Sequence, residues 1–285
     1  MLSYRHAFHA GNHADVLKHF VLMHVLQYAA QKDKPFWYVD THAGGGMYAL
    51  DRGYALQNAE FRDGVARLWN ASDLPAPLAN YVELLHRFNP GSELRHYPGS
   101  PAIARELLRK DDRMRLFELH TSDSKLLRQL FLGGQAESHR NVLIDTTDGF
   151  SGLKALLPPP TRRAIVLIDP PYEDKSDYQR VVEAIKDSMK RFATGTYMIW
   201  YPLLQRPEPL QMLDKLRKLQ PESWLDTSLT VQTPALGGFG MHGSGLFIVN
   251  PPWTLPQMLS EVLPTLVKIL ALDEGAEFRL ESHLP

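Results

Sequence analysis

Val166-Leu167-Ile168-Asp169-Pro170-Pro171-Tyr172 is an apolar run that ends in an acid, two prolines and an aromatic ring. A short apolar run bounded by turn residues reads as a buried strand. Proline fixes φ and carries no N–H, so the chain after Asp169 is stiff and its carbonyls lack local donors. A carboxylate oxygen and a carbonyl oxygen of Pro170 can then converge as two acceptors. That pair suits a planar NH₂ group on an aromatic base, and Tyr172 offers a face for the ring. A second stretch fits the same short pattern: Phe247-Ile248-Val249-Asn250-Pro251-Pro252-Trp253. Asp169 is preferred, because it ends the fourth strand of an alternating series, near the centre of a doubly wound sheet, where ligands sit beyond the strand ends. Residues 250–253 read as a rigid strand-to-helix connection.

Outward from this stretch, strands are predicted at 36–40, 114–119, 141–145, 164–168, 195–201, 226–232 and 245–249. Helices are predicted at 12–30, 100–109, 123–132, 177–192, 207–219 and 255–271. Asn12 can cap the first helix. Ser100-Pro101 is a start signal for the second, with serine as the cap and proline at the first helical position. Alternation of strand and helix argues for an α/β fold, a mostly parallel sheet flanked by helices. Residues 47–98 differ. They hold helical patterns at 61–69 and 78–88 separated by Pro75, Pro77 and Pro90, with no strong strand. They read as a small helical insertion between the two parts, 1–46 and 99–285, of one domain. The segment 273–285 is either a final strand or a loose tail.

Three further motifs lie at strand ends. Val39-Asp40-Thr41-His42-Ala43-Gly44-Gly45-Gly46 is a glycine-rich turn after the first strand, which lets a ligand approach the backbone. It is neither a dinucleotide fingerprint, since Ala49 stands where the third glycine belongs, nor a phosphate-cradling P-loop. Glu118, in Leu116-Phe117-Glu118-Leu119-His120, ends a strand where nucleotide-binding folds bond ribose hydroxyls. Asp148-Gly149 follows another strand, where an aspartate can accept from the exocyclic amine of a bound adenine. Taken singly, each is equally a tight turn or a carboxylate facing water. The stretch Tyr4-Arg5-His6-Ala7-Phe8-His9-Ala10-Gly11-Asn12-His13, followed by Lys18-His19, mixes cations and aromatics as single-stranded RNA contacts require. An arm packed on the sheet is the plainer, less favoured alternative. His9 and His13 are four apart, but no further ligand stands at zinc spacing, so no metal is expected.

The chain has 285 residues, 31 basic and 32 acidic side chains, a formal net charge of -1 and no cysteine. The charge balance leaves RNA binding to a local patch. Lack of cysteine excludes disulfides, thiolate-ligated metals and every cysteine nucleophile, including those that attack pyrimidine rings. No apolar run is long enough to span a membrane and no signal core follows Met1, so a cytoplasmic protein is expected.

With these motifs together, the sequence resembles the class I S-adenosylmethionine-dependent methyltransferases, and within them the bacterial 23S rRNA adenine-N6 methyltransferases. The resemblance runs through Leu2 to His6, His9 to His19, Asp40 to Gly44, Tyr97 to Pro101, Asp169 to Tyr172 and Arg191 to Tyr197. It implies a Rossmann-like sheet with a C-terminal antiparallel strand, S-adenosyl-L-methionine as cofactor and 23S rRNA as partner, protein-free or in early assembly. The implied cofactor-binding residues are His19, His42, Ser100, Glu118, Asp148 and Gly149, with Asp169 at the boundary. Asp169 is the implied catalytic residue, and Tyr4, His6, Lys18, Pro170 and Tyr172 the implied substrate contacts. The family pattern Ala-Gly-Ala-Gly-Arg is replaced here by Ala43-Gly44-Gly45-Gly46-Met47, which removes a cation that could touch RNA. A monomer is expected. DNA adenine, a protein glutamine, or a non-catalytic RNA-binding role remain as alternatives, because the acceptor geometry serves any such amine.

Overall fold

The computed structural model describes residues 5–133, 141–238 and 240–284. After a short 3₁₀ turn at His6–Phe8 come α1 (His13–Ala30), β1 (Trp37–Asp40), β2 (Met47–Ala49), α2 (Tyr54–Asn58), α3 (Val65–Trp69), α4 (Ala76–Arg87), β3 (His96–Pro98) and α5 (Ser100–Leu107). Then follow β4 (Arg113–Phe117), α6 (Thr121–Leu132), β5 (Val142–Asp145), α7 (Gly149–Leu156), β6 (Ala164–Ile168), α8 (Ser176–Arg191) and β7 (Thr196–Leu203). The chain ends with α9 (Glu208–Lys218), β8 (Trp224–Thr230), β9 (Gly243–Val249), α10 (Leu255–Leu270) and β10 (Glu277–His283).

Among the described residues, eight strands form one sheet in the order β10-β8-β9-β7-β6-β1-β4-β5. β1 pairs in parallel with both β4 and β6, and β7 continues the parallel set beyond β6. β9 runs antiparallel between β7 and β8, and β10 adds an antiparallel edge on β8. The chain winds outward from β1 through β4 to β5, then returns to place β6 on the other side of β1. The loops leaving β1 and β6 therefore diverge, which opens a crevice at the switch point. The polar segment 273–285 supplies β10, so its outer half is a strand.

Side-chain alternation sorts the core into two layers. Tyr38, Ile165, Leu167 and Met198 face one layer with α1, α5 and α10. Val39, Val166, Ile168, Tyr197 and Ile199 face the other with α7, α8 and α9. β6 is buried along its whole length, as its apolar sequence requires. α1 is buried around most of its circumference and is capped by Asn12, whose side chain accepts from the backbone of Ala14 and Asp15.

Three local expectations change. The segment 47–98 contains strands after all: β2 and β3 bracket it as an antiparallel pair, Met47 opposite Pro98. Three-residue strands leave too little alternation to read from sequence. Its helices bury Val65, Leu68, Leu78, Tyr81 and Leu85 in the same core as α1, so the insertion has no core of its own. Ser100 is not a cap. It is the first residue of α5, Gly99 holds the cap position, and the Ser100 hydroxyl donates to Asp40 at 2.7 Å. α7 was not anticipated, since Leu157 to Pro160 masks a helix of only eight residues.

Candidate active site

A cleft of about 470 Å³ opens at the carboxyl ends of β1, β4, β5 and β6, a volume suited to a nucleoside-sized ligand. The loop after β1 is pinned on both sides. Thr41 N–H donates to the Leu167 carbonyl on β6, and Ala43 N–H donates to the Phe117 carbonyl on β4. Gly44 has φ +62°, and a Cβ there would stand 2.3 Å from the Tyr48 hydroxyl, so only glycine fits the turn. Its N–H donates to Glu118 Oε2 at 2.7 Å, while His120 N–H donates to Oε1 at 2.6 Å. Burial pushes the Glu118 carboxyl up to about 7, against the pull of these two donors and with Asp123 and Asp40 adding to the rise.

The loop after β5 approaches from the other side. A Cβ on Gly149 would lie 2.1 Å from the Thr41 carbonyl oxygen, so this glycine permits backbone contact between two cleft loops. Asp148 caps α7 through Oδ2, which accepts from Ser151 N–H and Oγ–H, and its Oδ1 accepts from Arg180 at 2.5 Å. The Arg180 guanidinium also lies 4.4 Å from the Phe150 ring centre. An adenine amine reaching Asp148 must therefore share Oδ1 with Arg180.

Beneath the floor, Asp40 is wholly buried and accepts from the Tyr38 hydroxyl, Ser100 Oγ and His42 N–H. Burial holds the His42 ring down at about 4, so it is neutral near pH 7 and meets the Thr41 hydroxyl at 2.8 Å. Burial likewise lowers His19 to about 3. Its Nδ1 is 2.8 Å from the Tyr97 hydroxyl, which in turn meets the Tyr81 hydroxyl on α4 at 3.0 Å. The insertion thus braces the cleft through a chain of hydroxyls.

At the end of β6, Asp169 Oδ2 accepts from Lys18 Nζ at 2.6 Å. The same ammonium is 3.0 Å from Asp15 Oδ1. Burial alone would lower the Lys18 pKa, but the two carboxylates outweigh it and hold the ammonium above its usual range. His6 Nε2 lies 2.9 Å from Asp15 Oδ2 and so joins the cluster from the N-terminal arm.

His6, Lys18, His19, His42, Ser100, Glu118, Asp148, Gly149, Asp169, Pro170 and Tyr172 all line this one cleft. Tyr4 falls outside the described residues. Tyr172 departs from expectation. It is only 2% exposed, with φ +52°, its ring against Tyr178 and its hydroxyl donating to the Trp200 carbonyl at 2.7 Å. Its faces are packed into the core and are not offered for stacking. Trp200, half-buried on β7 and lining the cleft with the Lys18 ammonium 5.8 Å from its ring centre, has the open aromatic surface instead. Sequence reasoning also passed over Asp15, Asp40 and Arg180. Asp40 stands in the quoted glycine-loop motif, and Asp15 lies on the first helix with Lys18 three and His19 four positions along, but neither position signals burial.

The Asn250 stretch lies elsewhere. β9 runs antiparallel to β7, with Val249 opposite Tyr197 at the start of β7, so its end lies at the opposite end of the strands from Asp169. Asn250 Nδ2 donates to the carbonyls of Ala193 and Gly195 at 2.7 Å each, which makes it a brace for the turn entering β7. Among the described residues no group of His, Asp or Glu is arranged to hold a metal ion, and no helix is long and apolar enough to cross a membrane.

A sequence-family model described as "Ribosomal RNA large subunit methyltransferase D, RlmJ" matches residues 33–281. The "Ribosomal RNA large subunit methyltransferase J" of Escherichia coli (strain K12) is 49% identical over 266 residues, 93% of each chain. The protein of the same name from Haemophilus influenzae is 46% identical over the full length of both. Among solved structures, protein LPL1258 from Legionella pneumophila superposes with a TM-score of 0.87 at 36% identity, covering 96% of this chain and 98% of its own.

Proposed function

Since the chain belongs to the ribosomal RNA large subunit methyltransferase J family, we propose that it methylates N6 of an adenine in 23S rRNA, with S-adenosyl-L-methionine as methyl donor. The observation that carries the reading is Asp169 at the end of β6, across the switch point from the glycine loop, with one oxygen taken by Lys18. The other oxygen and the Pro170 carbonyl are the two acceptors for the amine.

The cleft suits the cofactor. Glu118 would accept from the ribose hydroxyls, since each of its oxygens has a lone pair beyond the backbone N–H it already holds. Asp148 and Gly149 would flank the adenine end, while His19, His42 and Ser100 line the path toward Asp169. The cofactor supplies a methyl group on a sulfonium, which needs no covalent enzyme intermediate, in keeping with a chain without cysteine.

Adenine N6 is a weak nucleophile because its lone pair is delocalised into the ring. Acceptors on both N–H bonds return density to nitrogen as it pyramidalises, and preorganised acceptors do this without reorganisation. The N6–methyl bond forms as the sulfur–methyl bond breaks, and the amine proton leaves only after transfer. Asp169 thus orients and polarises rather than deprotonating in advance. Holding the base in line adds a proximity gain of several kcal/mol. The base must leave its stack to reach Asp169. Trp200 replaces Tyr172 as the ring available to receive it, and His6 and Lys18 lie beside it. With a net charge of -1, affinity for RNA comes from local contacts. Residues 47–98 act as an insertion at the rim of the cleft, and the protein works as a cytoplasmic monomer.

The test is methyl transfer from labelled S-adenosylmethionine to protein-free, unmodified 23S rRNA, followed by digestion to nucleosides. Label is expected in N6-methyladenosine, and is expected to vanish with Asp169→Ala while cofactor affinity stays within a few-fold. Cofactor binding without any label would move the substrate to DNA, protein or another RNA.

A further inference from the structure

Asp15 is 1% exposed, yet its carboxylate meets four partners. Oδ2 accepts from Gly11 N–H at 2.9 Å and contacts His6 Nε2 at 2.9 Å. Oδ1 is 3.0 Å from Lys18 Nζ and 3.9 Å from His19 Nε2. The residues it touches come from the arm, from the neighbourhood of Asp169 and from the cofactor side of the cleft. We propose that Asp15 is a positioning residue for methyl transfer: its charge holds Lys18 and His6 in register with Asp169, so that the amine acceptor is set when the base arrives. This rests on the methyltransferase reading above.

The geometry explains why a charge is needed there. Lys18 is 4% exposed and bridges Asp15 to Asp169. With both carboxylates present the ammonium is shared between them, 2.6 Å from Asp169 Oδ2 and 3.0 Å from Asp15 Oδ1, so it occupies one Asp169 oxygen and leaves the other for the amine. Without the Asp15 charge, the undivided ammonium would bear on Asp169 alone and draw density from the oxygen that accepts from the amine. His6 would also lose the contact that draws the arm over the cleft. Burial of the Asp15 carboxyl alone would raise its pKa, but His6, Lys18 and His19 around it hold it well below the usual range.

A plainer role exists in the same place. Asp15 sits three residues after the cap Asn12 and accepts from Gly11 N–H, as a helix-capping side chain does. Asp15→Asn separates the two roles, since asparagine keeps an acceptor for Gly11 and loses the charge. Single-turnover methylation of 23S rRNA should fall by about 10²-fold, the cost of small misplacement at a reacting centre. S-adenosylhomocysteine affinity should stay within a few-fold. Lys18→Met should then cost much less in the Asp15→Asn background than in the wild type, because two residues acting through one contact are not additive. If the single variant folds poorly, the paired Asp15→Asn/Lys18→Met protein removes both charges together, and its turnover should match that of Lys18→Met alone; a further large loss would overturn the proposal. Unchanged turnover in Asp15→Asn, or fully additive losses in the pair, would overturn the proposal and leave Asp15 as a cap. A wild-type protein that transfers no label would instead overturn the underlying activity, so the two failures are distinct.

Discussion

Glu118 makes cofactor affinity depend on pH near neutrality. Burial raises its carboxyl from 4.5 to about 7 in the free protein. Ribose hydroxyls donate to the ionised form, so protonation must be reversed before the ligand binds. For one linked proton, affinity falls by a factor of 1 plus ten to the power of (pKa minus pH), that is about tenfold between pH 8 and pH 6. A carboxyl at its ordinary value would change affinity by only a few per cent, roughly, over that range. The folded-state value is raised, so the cost of ionising this buried group is absent below the unfolded value and complete above about 7. That cost is about 3 kcal/mol. Glu118→Gln removes the titration and the burial penalty together, while giving up one of two backbone acceptors. The assay is calorimetric titration with S-adenosylhomocysteine from pH 5.5 to 8.5, with melting of the unliganded proteins across the same range. The wild-type protein should lose affinity steadily below pH 7. The variant should bind weakly at every pH, so the wild-type-to-variant affinity ratio, in which the ligand's own titration cancels, should rise about tenfold from pH 6 to pH 8. Its melting temperature relative to wild type should rise between pH 5 and pH 8. Parallel pH profiles for the two proteins would refute the argument, since nothing else in it depends on Glu118 titrating near 7.

Two substitutions probe neighbouring features. Gly149→Ala places a Cβ 2.1 Å from the Thr41 carbonyl. The loops after β1 and β5 must then separate, and S-adenosylhomocysteine affinity should drop by at least about tenfold, on the order of 1.4 kcal/mol. Asn250→Ala removes two hydrogen bonds and puts alanine at φ +53°. It should cost about 1–3 kcal/mol in denaturant unfolding while leaving turnover per folded molecule unchanged, in contrast to Asp169→Ala.

The roles of Asp169 and Asn250 show how sequence and tertiary structure divide the evidence. Both close an apolar strand and both precede two prolines and an aromatic, so local chemistry makes them equal candidates. Place in the alternating series favours Asp169, and strand direction gives the physical reason, because β9 runs against β7 and carries Asn250 to the opposite end of the strands. The alternation of strands and helices, the glycine turn, Glu118 and Asp148-Gly149 were legible beforehand. Each depends on short-range chemistry: apolar periodicity, turn conformation, or an acid at a strand end. Tertiary packing decided the rest. It buried Tyr172 and opened Trp200, and it turned the Ser100 hydroxyl from a helix cap to a donor for Asp40. It also drew Asp15, Lys18 and His19, three or four apart on one helix, inward to the cleft. A buried charge is tolerated only beside a partner. For Lys18 that partner is Asp169, 151 positions further along the chain. No local pattern encodes such a pairing; it exists only once the sheet has brought α1 against the end of β6.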